Sequence, residues 1–136
     1  MGKKEEGNPS ILVVEDDQEI RKGMKQLLAR KGYRVIVVAD EQDAFETISR
    51  KSIDLIVLEQ DLPPIEVLAL GHRIRRHLSP KRQIPLVVLS ASTDRVPGKL
   101  AVGYREWVIN LEDFSQLEVL IKDLIPRRRK AAANDA

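Results

Sequence analysis

The sequence predicts an α/β domain, a doubly wound five-stranded parallel sheet with helices on both faces, on three observations. Short apolar runs alternate five times with amphipathic segments of helical period, which calls for parallel strands joined by right-handed crossovers. The runs Ile11–Val14, Asp54–Leu58 and Leu86–Leu89 are continuous rather than alternating, as expected of strands buried on both faces. Each ends in oxygen-bearing side chains: Glu15, Asp16 and Asp17; Glu59 and Asp61; Ser90 and Ser92. Open α/β sheets place their chemistry just beyond these carboxyl ends.

The elements follow in order. Ile20, Met24, Leu27 and Leu28 mark one face of a first helix that Asp17 can cap and Gly32 can end. Tyr33 to Ala39 reads as the second strand. Asp40 can cap a helix burying Ala44, Phe45 and Ile48, and residues 53–58 form the third strand. Pro63 and Pro64 break the chain before a third helix carrying Leu70, Ile74 and Leu78 on one face and ending near Ser79-Pro80. Ile84 to Leu89 is the fourth strand. The segment Thr93 to Val102 falls where a fourth helix belongs, but Pro97-Gly98 makes it short or irregular. Tyr104 to Ile109 is the fifth strand. A capping box, Asp113 with Gln116, then opens a last helix that buries Phe114, Leu117, Leu120, Ile121, Leu124 and Ile125.

Length and composition fit this plan, since 136 residues with 43% hydrophobic content suffice for one domain with one core. The absence of cysteine excludes disulfides and thiolate metal sites. No apolar run approaches the roughly 20 residues that cross a bilayer, so the chain is read as cytoplasmic and soluble. The formal charge of +2 is uneven: Arg127, Arg128, Arg129 and Lys130 against Asp135 put +3 in the tail. Residues 1–9 are expected to be a flexible leader, 10–126 the domain and 127–136 a disordered basic tail. Within the domain His72, Arg73, Arg75, Arg76, Lys81 and Arg82 cluster; without an aromatic platform they read as a solvated helix face rather than a nucleic-acid surface.

The chemistry of the sheet edge is that of carboxylates and hydroxyls, which suit a hard divalent cation and a phosphoryl group. Any single acid there could equally serve as a helix cap. A dinucleotide site is disfavoured, because the turn after the first strand, Glu15 to Glu19, has no glycine and would repel a pyrophosphate. His72 and His77 lie in a polar helix, where they read as surface residues.

These residues resemble the receiver domains of bacterial two-component response regulators over about residues 10–125. The resemblance rests on Ile11-Leu-Val-Val-Glu-Asp-Asp17, on Asp54-Leu-Ile-Val-Leu-Glu59 with Asp61-Leu-Pro63, on Leu86-Val-Val-Leu-Ser-Ala91 and on the strand, turn and helix from Gly103 to Ile125. The 43-residue interval from Asp16 to Glu59 is similar too. It implies a flavodoxin-like fold with strand order 2-1-3-4-5. It further implies that Glu59 stands at the phosphoacceptor position, that Glu15, Asp16 and Glu59 with the main-chain carbonyl of Asp61 would hold Mg²⁺ weakly, and that Ser90 contacts the phosphoryl group. Where the family has a lysine this sequence has Asn110, followed by Leu111 in place of proline, and Trp107 falls at the family's switch aromatic, where a bulky strand residue covering the sheet edge is the alternative.

Two of these departures act on one mechanism. Glutamate is one methylene longer than aspartate, so its carboxylate overshoots the in-line position by roughly 1 Å, an error that costs about a hundredfold where positioning carries catalysis. Without the lysine the transferred group loses a fixed positive charge. The sequence is therefore read as a single-domain atypical receiver, not an enzyme, that acts by protein contact with a sensor histidine kinase or a downstream signalling protein. No membrane partner is expected, and a homodimer is left open. Two alternatives stand beside this: a phosphorelay receiver using Glu59 or Asp61 as an unorthodox acceptor, and a nucleic-acid-associated protein acting through the basic tail.

Overall fold

The computed structural model describes residues 8–49, 51–77, 83–90, 99–103, 105–110 and 114–125. Ten elements follow one another: β1 (Ser10–Glu15), α1 (Gln18–Arg30), β2 (Arg34–Val38), α2 (Glu41–Ile48), β3 (Leu55–Glu59), α3 (Pro64–Arg76), β4 (Leu86–Ser90), β5 (Lys99–Gly103), β6 (Glu106–Asn110) and α4 (Phe114–Leu124). They build one sheet in the order β2-β1-β3-β4-β6-β5. The pairs β1 with β2, β1 with β3, β3 with β4 and β4 with β6 are all parallel. With β6 taken as the fifth parallel strand, the expected doubly wound order 2-1-3-4-5 is what the chain adopts.

The sixth strand corrects the sequence reading. A helix is expected over Thr93 to Val102, but Lys99–Gly103 instead forms β5, antiparallel to β6 at the sheet edge; residues 91–98 lie outside the described residues. Gly103 pairs with Glu106, and Arg105, just before β6, takes a left-handed φ of 57°. Five residues closed off by glycine are too few for a stable helix, whereas antiparallel pairing offers them backbone partners on β6. The fifth parallel strand also starts later than expected, at Glu106, because the chain is still turning at Arg105.

Alternation along the strands divides the core into two layers. Leu12, Val14, Ile56, Leu58, Leu86, Val88 and Val108 face α2 and α3, meeting Ala44, Ile48, Val67, Leu70 and Ile74. Ile11, Val13, Leu55, Val57, Val87, Leu89 and Ile109 face α1 and α4, meeting Met24, Leu28, Leu117, Leu120 and Ile121. Each side chain fully withdrawn from water contributes on the order of 1.5–3 kcal/mol before chain entropy is set against it. Leu27 departs from its expected place on the buried stripe, being 38% exposed; it sits beyond the line from Met24 to Leu28 that meets the sheet. Helix α3 approaches closely at Gly71, where a Cβ would lie 2.8 Å from Leu58 Cδ1.

Local signals account for the ends of the helices. Asp17 accepts from the N–H groups of Glu19 and Ile20, and Asp40 from that of Asp43. Gly32 closes α1 at φ 96°, and Pro64 sits at the start of α3, where its missing N–H costs nothing. The expected cap at Asp113, Leu78, the end near Ser79-Pro80, the first seven residues and the tail from 126 onward lie outside the described residues.

Candidate functional site

Glu15 and Glu59 are register partners at the carboxyl ends of β1 and β3. Alternation places both on the α1 and α4 side, following Ile11, Val13, Leu55 and Val57, so their carboxylates project side by side. Asp16 joins them at the start of the β1–α1 turn, and one oxygen from each of Glu15, Asp16 and Glu59 lies within 4.8 Å of the others. Glu15 is fully buried, Glu59 half-buried and Asp16 exposed. The cluster therefore opens to solvent on the Asp16 side.

The electrostatics of Glu15 show what this cluster lacks. Its Oε2 accepts the Asp17 N–H at 2.8 Å, whereas its Oε1 is buried without a hydrogen-bond partner among the described residues. Two carboxylates cannot hydrogen-bond each other while both are charged, so a bond between Glu15 and Glu59 needs a proton on one of them. Burial pushes the Glu15 carboxyl up to about 9, aided by a hydrogen bond to Glu59 and by the negative charges of Glu59 and Asp16, against the opposing Asp17 N–H. A divalent cation would relieve the same deficit with two positive charges, and an all-oxygen donor set of three carboxylates is what a hard cation takes. By that test the residues fit a metal.

Beside the acids lies a cleft of about 490 Å³ lined by Glu59, Gln60, Asp61, Leu62, Pro63, Pro64 and Ser90. Ser90 is buried at the end of β4, in register with Asn110 at the end of β6. The Leu62 N–H donates to the Gln60 carbonyl at 2.8 Å, a tight turn that leaves Asp61 exposed. The Asp61 carboxylate is outside the three-acid cluster. Leu62, on the cleft wall, and Ile65, one residue past it, are 47% and 75% exposed, and the Gln60 amide nitrogen is buried without a partner among the described residues. Arg21 was missed by the sequence reading; its Nη1 donates to the Glu15 carbonyl at 2.8 Å, one turn beyond the Asp17 cap.

Trp107 is half-buried in the layer under α1 and α4, in register with Val87. Alternation along β4 turns Ser90 to the other face, with Leu86 and Val88. The basic cluster of α3 is largely spent inside the domain. Arg75 makes a short charge-assisted bond to Glu106 Oε2 and a 2.9 Å bond to the Ile84 carbonyl, while His72 Nε2 lies 2.7 Å from the same Glu106 oxygen. Arg73 forks onto Glu41 at 2.7 and 3.0 Å, holding that carboxyl below its usual range. His77 is exposed and stacks on Phe45 at 3.9 Å. Lys81 and Arg82 lie outside the described residues.

The family model of the response regulator receiver domain matches residues 11–106. The chain belongs to that family. Among curated relatives, the receiver is 29% identical to the transcriptional regulatory protein AfsQ1 of Streptomyces coelicolor, over 94% of this chain and 56% of the relative. It is 33% identical to the transcriptional activator protein PfeR of Pseudomonas aeruginosa, over 67% of this chain and 30% of the relative. The chain thus spans about half, or less, of the curated relatives it matches. Among solved structures it is similar to the receiver domain of the sensor histidine kinase PA1611 of Pseudomonas aeruginosa, which holds a magnesium ion in its active site cleft, at 25% identity and TM-score 0.66 over 87% of this chain and 98% of that one. A CheY-like receiver from Methylobacillus flagellatus shares the fold at 22% identity and TM-score 0.66, over 86% and 98%. Membership places the receiver in two-component signalling, and no helix among the described residues is long and apolar enough to cross a membrane.

Proposed function

We propose that this receiver acts in cytoplasmic two-component signalling by protein contact, without catalysis of its own and without taking a phosphoryl group at Glu59. The observation that carries this reading is Glu59 itself, a glutamate set at the end of β3 beside a buried Glu15. Its extra methylene carries the carboxylate roughly 1 Å past the place an aspartate would present it, which is costly where a reaction depends on in-line positioning. Asn110, neutral and at the end of β6, supports the same reading, because a transferred phosphoryl group needs fixed positive charge nearby. Asp61 offers no substitute, being exposed and outside the acid cluster.

Glu15, Asp16 and Glu59 would hold Mg²⁺, as the cleft of the PA1611 receiver does, with the Asp61 carbonyl as a further ligand; the cation would supply charge neutralisation that orders the β1 and β3 ends. Partners are a sensor histidine kinase or a downstream signalling protein. Leu62 and Ile65 beside the cleft give such a partner an apolar surface to cover. Trp107, packed under α1 and α4 rather than on the Ser90 face, acts as a core residue and not as a switch. The reading is tested by incubating the protein with acetyl phosphate and Mg²⁺ and measuring its intact mass, which should stay unchanged.

A further inference from the structure

We infer that the edge strand β2 is a self-association surface, to which a second copy of this chain adds its own β2, antiparallel, about a two-fold axis at Ile36. The sheet ends at β2 on one side and at β5 on the other. At β5 the pairing with β6 slips between Ala101 and Gly103, an irregularity that blunts an edge against further strands. At β2 the register with β1 runs unbroken from Arg34 to Val38. Its sequence, Arg-Val-Ile-Val-Val, is rich in β-branched residues and has neither proline nor glycine. The Arg34 N–H donates to the Pro9 carbonyl at 2.9 Å. Alternation then turns the backbone of Arg34, Ile36 and Val38 towards β1 and leaves the N–H and C=O groups of Val35 and Val37 on the open edge. Among the described residues no strand but β1 pairs with β2.

With Ile36 opposite Ile36, Val35 of each copy faces Val37 of the other, so every outward donor meets an outward acceptor. The half-buried Val35, Ile36 and Val37 side chains then gain β-branched cross-strand neighbours on both faces of the sheet. Charge selects the occupant. The chain enters β2 past exposed Arg30 and Arg34 and leaves it past exposed Asp40 and Asp43. Lys31 and Glu41 add to the same gradient but are already paired, with Glu118 and Arg73. An antiparallel mate must present acids beside Arg30 and Arg34 and bases beside Asp40 and Asp43. A second β2 does both by symmetry, whereas a parallel copy sets like charges together.

The test is sedimentation of the full chain over a dilution series. Wild type should form a dimer at high protein concentration and dissociate on dilution, more readily in high salt because the charges at the strand ends are exposed. Val37→Pro removes the outward N–H from both copies and leaves the bonds to β1 in place. Arg34→Glu brings a carboxylate towards Asp40 of the second copy. Each should raise the dissociation constant about tenfold or more, while Arg34→Lys, which keeps the charge, should change it little. Arg34→Glu alters an exposed side chain, so it carries the test even where the proline variant fails to fold. A wild type that stays monomeric up to about 1 mM, or a dimer that neither variant weakens, overturns the inference.

Discussion

Glu15 and Glu59 meet as register partners at the ends of β1 and β3, and the inner carboxylate, fully buried, has one oxygen without a hydrogen-bond partner among the described residues. The pair is stable only with something positive between its members. In the absence of metal that is a proton, which sets the sign of the pH dependence. The folded Glu15 carboxyl titrates at about 9 against an ordinary 4.5, so between those values the folded state holds a proton that the unfolded state has released. Stability is fullest below about pH 4.5 for this group and falls as pH rises towards 9. Urea midpoints measured in chelator should decline across that window, and Glu15→Gln should flatten the decline. A midpoint that rises with pH over the same range would contradict the pairing.

Arg75 and Glu106 tie α3 to β6 with both side chains nearly withdrawn from solvent, and His72 shares the same oxygen. Removing one member of a buried pair strands the other, at a cost of about 3–5 kcal/mol. Arg75→Ala should therefore lower stability by about that amount in chemical denaturation. Arg73→Ala, which breaks the exposed fork to Glu41, should change it little. Equal losses at the two arginines would show that burial does not separate them.

Two helix glycines should respond in opposite directions to alanine. Gly23 in α1 has nothing within 4 Å of the place a Cβ would take, so Gly23→Ala should stabilise by roughly 0.5–1 kcal/mol through helix propensity alone. At Gly71 the new methyl would press on Leu58 and Leu86, both fully buried. Gly71→Ala should lose stability by about 1 kcal/mol or more despite the same propensity gain. Thermal melts of the two variants settle the comparison.

Much of this was legible in the chain because the signals are local. Continuous apolar runs ending in acids mark β1 and β3, and Asp17 and Asp40 cap the helices they precede. The edge strand β5 was not legible: Lys99-Leu-Ala-Val-Gly103 carries no strand period, and its conformation comes from pairing with β6 across a turn. The site divides the same way. That Glu15, Asp16 and Glu59 stand at strand ends follows from sequence, but the burial of Glu15 and its orphaned oxygen depend on the register of β1 against β3. Glu106 is a lone acid inside an apolar strand, and an acid in such a place, with arginines on a preceding helix, is the signal in the chain for the buried ion pair.

The most direct measurement is intact mass after incubation with acetyl phosphate and a divalent cation, under conditions mild enough to keep acyl phosphates. The wild-type protein should gain no phosphoryl group. Glu59→Asp corrects position only and should label slowly or not at all, while Glu59→Asp with Asn110→Lys supplies position and charge together and should label faster. Robust labelling of the unmodified chain, mapped to Glu59 or Asp61, would contradict the account and make this receiver a phosphorelay member with an unorthodox acceptor.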